Sequence, residues 1–290
     1  SNWGRWGKDD QKGTLNLITP AKRRQAAALV REGVPVSLAK DAASEKDVDN
    51  PAPLEHAMSA VREAVAIDRI ASPLHGYANT HLDGLSHHFH SGRMYNGFSR
   101  DEVTMEAGAA KGSIHQMKDG IFTRGILVDL PRLKGVQYLE PGTSVLAEDL
   151  EAWEKFAGVK ISSGDAVFIR TGRWARRAQV GAWDVSQRSA GLDPSILPWL
   201  RQRDVAVLGS GAALSVAPNP ATSTISNPDD YLAVHNFVLV ALGMPLFDDC
   251  QLDPLADAAA SRKRWEFLLT AAPLPLTKGT GSLINPIAVF

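Results

Sequence analysis

Residues 75–90 read HGYANTHLDGLSHHFH, and they hold five of the eight histidines in the chain. Written as an extended strand, residues 75–83 separate into two faces, because side chains alternate along a strand. One face carries His75, Tyr77, Asn79, His81 and Asp83, all groups that ligate metals or form hydrogen bonds. The other carries Gly76, Ala78, Thr80 and Leu82, small or apolar groups suited to lie against a core. Asp83-Gly84 is a turn signal, and His87 follows where the chain bends back. Two positions along a strand span roughly 6.5 to 7 Å, so His81 and Asp83 can converge on one ion. Imidazole with carboxylate and no thiolate suits Zn²⁺, Mn²⁺ or Fe²⁺. His75 lies six residues before His81, roughly 20 Å along an extended strand. It reaches the same ion only if the chain folds back at Gly76.

Working outward, the segment 3–19, WGRWGKDDQKGTLNLIT, has no clear period and reads as an ordered Trp-rich arm over about residues 1–18. Trp3 and Trp6 are expected in packing or as a lid over a pocket, and Trp6 is the candidate substrate contact. Thr19-Pro20 starts a helix, with Thr as N-cap, Pro in the first turn and Gly33 as the stop. A short strand over 34–38 precedes a long polar loop over 40–55, and long loops in compact domains are often functional. Further strands are expected at 125–130, 165–171 and 205–209, with a last one at 265–274. Helices are expected at 144–157, 194–203 and from Asp253 to about residue 264. Residues 93–104 read as loop, as does the Pro-, Asn- and Ser-rich stretch 216–230. Residues 235–244 fit helix or strand. There is no internal repeat and no flexible linker. Helices alternate with strands, which gives one α/β domain over 1–290 with a mixed β-sheet.

Composition sets limits on function. Hydrophobic residues at 44% and charged residues at 22% are ordinary for a globular protein. A net charge of −1 offers no basic stripe for nucleic acid. The lone Cys250 excludes an internal disulfide and any cysteine-rich zinc module. No apolar run approaches the ~20 residues of a membrane span, and residues 1–4 lack a signal peptide's pattern. A cytoplasmic protein without nucleic-acid or membrane partners is expected. Gly209-Ser-Gly211 after a strand lacks the third glycine of a dinucleotide fingerprint, and Gly-x-Ser-x-Gly and His-Glu-x-x-His are absent. Residues 279–285, GTGSLIN, read as a structural turn ahead of a phosphate-binding nest. Arg170 and Arg173, in IRTGR, are candidate anchors for an anionic substrate group, with a surface salt bridge as the alternative.

These residues resemble the signature of the metal-dependent cyclase-like hydrolases, His-x-Gly-Thr-His-x-Asp-x-Pro-x-His, with Thr80, His81, Asp83 and His87 in register. The openings WGRWG and GTLNLIT, the central GDAVFIRTG and the closing GTGSLINPIAV resemble the same family, so the likeness runs along nearly the whole chain. It implies a barrel-like mixed sheet flanked by helices and a homo-oligomer, dimer or tetramer. The implied activity is hydrolysis of an amide, formamide or lactam in a small-molecule substrate. One or two divalent ions, Mn²⁺ or Zn²⁺, are implied as cofactor. By the same likeness His81 and Asp83 are metal ligands, and His87 is the general acid/base beside metal-activated water. The second ligand pair is His235 and Asp248, in VHNFVLVALGMPLFDD (234–249), with Asp249 competing. Asn79 and Thr80 are placed to orient the ligands. The chain departs from the pattern at Tyr77, which stands at the motif's first histidine, at Asn79 and Leu85, and at Gly211, where aspartate is expected. Tyr77 and His75 are therefore possible metal or substrate contacts. A homologue without activity, binding a small molecule or serving as an oligomeric scaffold, is the rival reading.

Overall fold

The structure, a computed structural model, describes residues 1–218 and 233–290. Its centre is a strongly curled sheet of nine strands among the described residues. In chain order these are β1 (Pro35–Ser37), β2 (His81–Asp83), β3 (Ile121–Asp129), β4 (Ala166–Arg170), β5 (Val207–Ser210), β6 (Leu246–Asp248), β7 (Glu266–Ala271), β8 (Gly281–Leu283) and β9 (Ile287–Val289). Their spatial order is β1-β9-β7-β3-β4-β5-β6-β2-β8. The run β3 to β6 is parallel and every other pairing is antiparallel. Such a sheet bears out the expected mixed α/β fold.

The parallel strands are apolar runs because helices and loops cover both their faces. Val167, Phe168, Val207, Leu208, Leu246 and Phe247 are fully buried. A line of rings, Phe247, Phe168, Phe267 and Phe290, crosses the core with centroids 5.7, 6.1 and 5.8 Å apart. Gly125 on β3 leaves room for the Phe267 ring, where any Cβ would collide. Each buried aromatic contributes about 1.5–3 kcal/mol of transfer free energy. The first long helix runs Pro20–Ala27, and Thr19 Oγ1 accepts from Lys22 N–H at 3.2 Å, as its capping sequence requires. Over Ala147–Ala157 the next one buries Trp153, whose indole N–H donates to the Leu127 carbonyl at 2.8 Å.

Several sequence expectations are corrected. Only His81–Asp83 is strand; residues 75–80 bend back instead of extending. The helix expected from 144 begins at Ala147, because Ser144–Val145 pairs with Gly191–Leu192. Residues 233–242 are helical, with π-helical turns over Phe237–Leu242. The strand at 266–271 is not the last, since β8 and β9 follow, and GTGSLIN supplies β8 in place of a turn. Arg173–Val180 forms a helix that the pattern did not announce. Most of the loop expected at 216–230 lies outside the described residues. A hairpin, Glu55–Arg62 with Val65–Ala71, lies apart from the main sheet. Nearly all of its residues are exposed on both faces, so the in/out alternation that reveals a half-buried strand is missing.

Candidate metal centre

Antiparallel pairing of β2 with β6 builds the site. Asp248 sits directly opposite His81, and Leu246 opposite Asp83. Directly paired residues share a face of the sheet, so His81, Asp83 and Asp248 emerge on one side. Leu82 and Phe247, both fully buried, point to the other. On its far edge β2 pairs with β8, with Gly281 opposite Asp83. A Cβ at Gly281 would come within 2.6 Å of the His75 ring, so glycine makes the space that ring occupies. His235 arrives from the helix Ala233–Asn236.

Five groups converge on the Asp83 carboxylate. His75 Nδ1 is 2.8 Å from Oδ1 and His81 Nε2 is 3.5 Å from it. His235 Nε2 lies 3.2 Å and His87 Nε2 3.8 Å from Oδ2. Asp248 Oδ2 is 3.0 Å from His235 Nε2 and 4.0 Å from His81 Nε2. Two sets of three possible ligands result, His75-His81-Asp83 and Asp83-His235-Asp248, each with its atoms within 4.8 Å of one another. Asp83 belongs to both.

The electrostatics favour a cation there. Burial pushes the His235 imidazole down, but the charges of and hydrogen bonds to Asp248 and Asp83 prevail and raise it to about 10. In His81, burial is likewise outweighed by Asp83, Asp248 and Asp249, and the pKa rises. Asp83 is held well below the ordinary carboxylate range: burial opposes ionisation, and the surrounding histidines overcome it. Without a metal, protons on histidine supply the positive charge that these buried carboxylates demand. Among the described residues Asp248 Oδ1 and His235 Nδ1 are buried and find no hydrogen-bond partner. His81 Nδ1–H donates to the Asn79 carbonyl at 2.8 Å, which leaves Nε2 and its lone pair facing Asp83 and Asp248. Preset tautomer, converging oxygens and a partnerless carboxylate atom fit a divalent ion held by nitrogen and oxygen.

Around this centre, His87 stacks on His75 at 3.5 Å between centroids with the rings 1° from parallel. Burial pushes its pKa down to about 3 against the pull of Asp83. His88 packs edge-on against His87 at 4.6 Å, and its Nδ1–H donates to Asn236 Oδ1 at 2.9 Å. Thr280 Oγ1 meets His75 Nε2 at 3.0 Å. Behind His81, the buried Arg173 binds Asp249 Oδ1, the Tyr77 carbonyl, Gly211 O at 3.0 Å and Asp49 Oδ2 at 3.3 Å. Burial raises the Asp249 carboxyl to about 7 despite this partner.

The structure thus brings together His75, His81, Asp83, His87, His235 and Asp248. Asp249, in a left-handed conformation at φ 55°, turns to Arg173 and belongs to neither ligand set. Tyr77 accepts from Arg173 through its main-chain carbonyl. Asn79 acts through its main-chain carbonyl, whereas its side chain accepts from Ala43 N–H at 2.8 Å. Thr80 Oγ1 donates to the Asp249 carbonyl at 2.8 Å. Arg170 does not join the cluster: it is paired with Asp129 at 2.8 Å and Asp253 at 2.7 Å, the salt-bridge alternative. Trp6 lies beneath the Arg5 guanidinium at 4.8 Å, and it is Trp3 that lines a cavity near the site. Sequence reasoning did not assign His88, Asn236 or Thr280, and it offered Arg173 only as an anion anchor or salt-bridge partner, the second of which the structure shows in its pairs with Asp249 and Asp49. Of the three unassigned residues only His88 carried a signal, as one of the two histidines that follow the motif's core.

Comparison with known proteins bears on the family and the fold. No match is found among curated proteins. A crystal structure described as that of a novel cyclase is 31% identical, with 100% of this chain and 99% of that one covered and a TM-score of 0.86. Isatin hydrolase A from Labrenzia aggregata shares the fold at 18% identity, with 91% and 96% covered and a TM-score of 0.61. A predicted metal-dependent hydrolase from Bacillus stearothermophilus shares it at 12% identity, with 89% and 98% covered and a TM-score of 0.51. The family model described as "Putative cyclase" matches residues 51–213, a span that includes His75, His81, Asp83 and His87. By that match, and by full-length likeness to the novel cyclase, this chain belongs to the putative cyclase family.

Proposed function

We propose that the protein is a metal-dependent hydrolase that opens the C–N bond of an amide, formamide or lactam in a small molecule. The observation that carries this reading is the convergence of His75, His81, His235 and Asp248 on one buried carboxylate, Asp83. Likeness to isatin hydrolases and to predicted metal-dependent hydrolases supports it. His81, Asp83, His235 and Asp248 hold the ion, and the set with His75 offers room for a second. A divalent ion such as Mn²⁺ or Zn²⁺ polarises a substrate carbonyl and makes water acidic enough to attack near neutral pH.

The chain's own residues do the rest. His87 is neutral at working pH because burial holds its pKa near about 3. A neutral imidazole can take the proton of the attacking water and return it to the departing nitrogen; a base this weak would depend on a bound metal ion to make that water acidic. Stacking on His75 fixes the ring plane, and the edge contact with His88 limits its tilt. The Asn79 carbonyl holds the His81 tautomer that a ligand requires.

Elemental analysis of the unchelated protein, paired with assays on formamides and lactams, tests the reading. About one or two equivalents of metal are expected, one for each ligand set. His81→Ala is expected to remove metal, and His87→Ala to abolish turnover while keeping metal bound. A protein that takes up no divalent ion on titration is not this enzyme, and the binding-protein reading then replaces it.

A further inference from the structure

We propose that a cavity beside the metal centre receives an uncharged, apolar substituent of the substrate, and that Trp3 of the N-terminal arm is its specificity-determining wall. This rests on the hydrolase reading for what happens at the metal, but the cavity itself does not depend on it. Its volume is about 380 Å³, within the range of small-molecule sites. Among the described residues Trp3, Leu197, Phe237 and Val240 make its apolar walls, and His90 and Asn236 are the polar groups. No lysine, arginine, aspartate or glutamate lines it among those residues. Burying a charge there would leave it without a partner, which is costly.

The cavity borders the site at Asn236, which is one of its lining residues. That residue follows the ligand His235 directly, and its Oδ1 accepts from His88, whose ring lies 5.2 Å from the ring of His235. A substrate with its carbonyl at the metal and a ring-sized apolar arm fits both regions at once.

Trp3 is built as a wall. At 41% exposure its ring is open to a ligand, as is that of Phe237 at 40%, yet the residue is pinned. Its indole N–H donates to the Val240 carbonyl at 2.7 Å. On one side Asn2 binds the carbonyls of Ala241 and Leu242, at 2.8 and 2.9 Å. On the other, Gly4 N–H donates to Asn96 Oδ1 at 2.7 Å. An aromatic surface fixed before the ligand arrives loses little entropy on binding.

The test uses the full chain and two formamides, N-(2-naphthylmethyl)formamide and N-formylglycine. Wild type is expected to prefer the naphthyl compound in kcat/KM by about tenfold or more, and Trp3→Ala to shrink that preference by about tenfold. Calorimetric titration with 2-naphthylmethanol reads the cavity without any hydrolysis, and Trp3→Ala and Phe237→Ala should each weaken it by about tenfold. Metal content and urea midpoint show that each variant is folded. If neither formamide is cleaved, the hydrolase reading fails while the titration still decides the cavity. Preference for the carboxylate compound, or binding of the alcohol that both variants leave unchanged, overturns the proposal.

Discussion

At the scale of single residues, the site rests on pairs of buried charges that must be complete. Arg173 is the clearest case, with its side chain buried and donating to four chain segments around residues 49, 77, 211 and 249. Arg173→Met would take from the buried Asp249 carboxyl its guanidinium partner and leave only His81 Nδ1 at 3.8 Å, and removing one partner of a buried pair costs about 3–5 kcal/mol. Urea unfolding of the metal-free protein measures this; a loss below about 1 kcal/mol would mean that water replaces the guanidinium. His81 and Asp83 were legible in the sequence because period-two spacing survives even in a three-residue strand. His75 was legible only as a conditional contact, since its approach depends on a bend over residues 75–80 and on the space left by Gly281. Choosing between Asp248 and Asp249 required the strand register, which sets Asp248 across from His81. No local pattern encodes that choice.

At the scale of elements, the N-terminal arm is held by many hydrogen bonds to the rest of the chain and by one ion pair that titrates. Arg5 forms a bidentate pair with Asp204, at 2.6 and 2.8 Å. The hydrogen bond from Arg5 lowers the Asp204 pKa, and burial opposes it only in part. A carboxyl whose folded pKa lies below its unfolded one stabilises the fold above the unfolded value. That contribution disappears as pH falls through the folded value. Asp204→Asn is therefore expected to cost about 1 kcal/mol at neutral pH, with the gap to wild type closing below about pH 4. A gap that persists unchanged into acid would show that packing, not charge, holds the arm. The arm's order was legible from its tryptophans and glycines. Which tryptophan lines the cavity was not, because Trp3 is directed there by a hydrogen bond to Val240, 237 residues away in sequence.

On the scale of the whole molecule, stability is unevenly distributed. β3 is buried at all but one position of Ile121–Asp129 and is paired with β7 over Ile121–Ile126 and with β4 over Gly125–Asp129. The 55–71 hairpin has only its own two strands, with Val61 73% and Ile70 63% exposed. A two-stranded hairpin without a packed face is marginal in water. Its amides are expected to exchange with solvent orders of magnitude faster than those of β3, which open only with the global transition. Equal protection of the two, followed by mass spectrometry in dilute protein, would contradict this. Strand-helix alternation made the α/β class legible, while the order of the strands was not, because five of the eight pairings join strands that are not consecutive in sequence around the sheet's edges and centre. No described helix is long and apolar enough to cross a membrane.

The position of β2 between β6 and β8 has a consequence for biosynthesis. His81 and Asp83 leave the ribosome early, but their neighbours on either side, Asp248 and the strand Gly281–Leu283, are translated some 165 and 200 residues later. Until then the nascent chain carries a histidine cluster with neither its second carboxylate nor the Thr280 hydroxyl that meets His75. The cluster is thereby incomplete until both later strands have been made, and a chain terminated before Asp248 cannot assemble it.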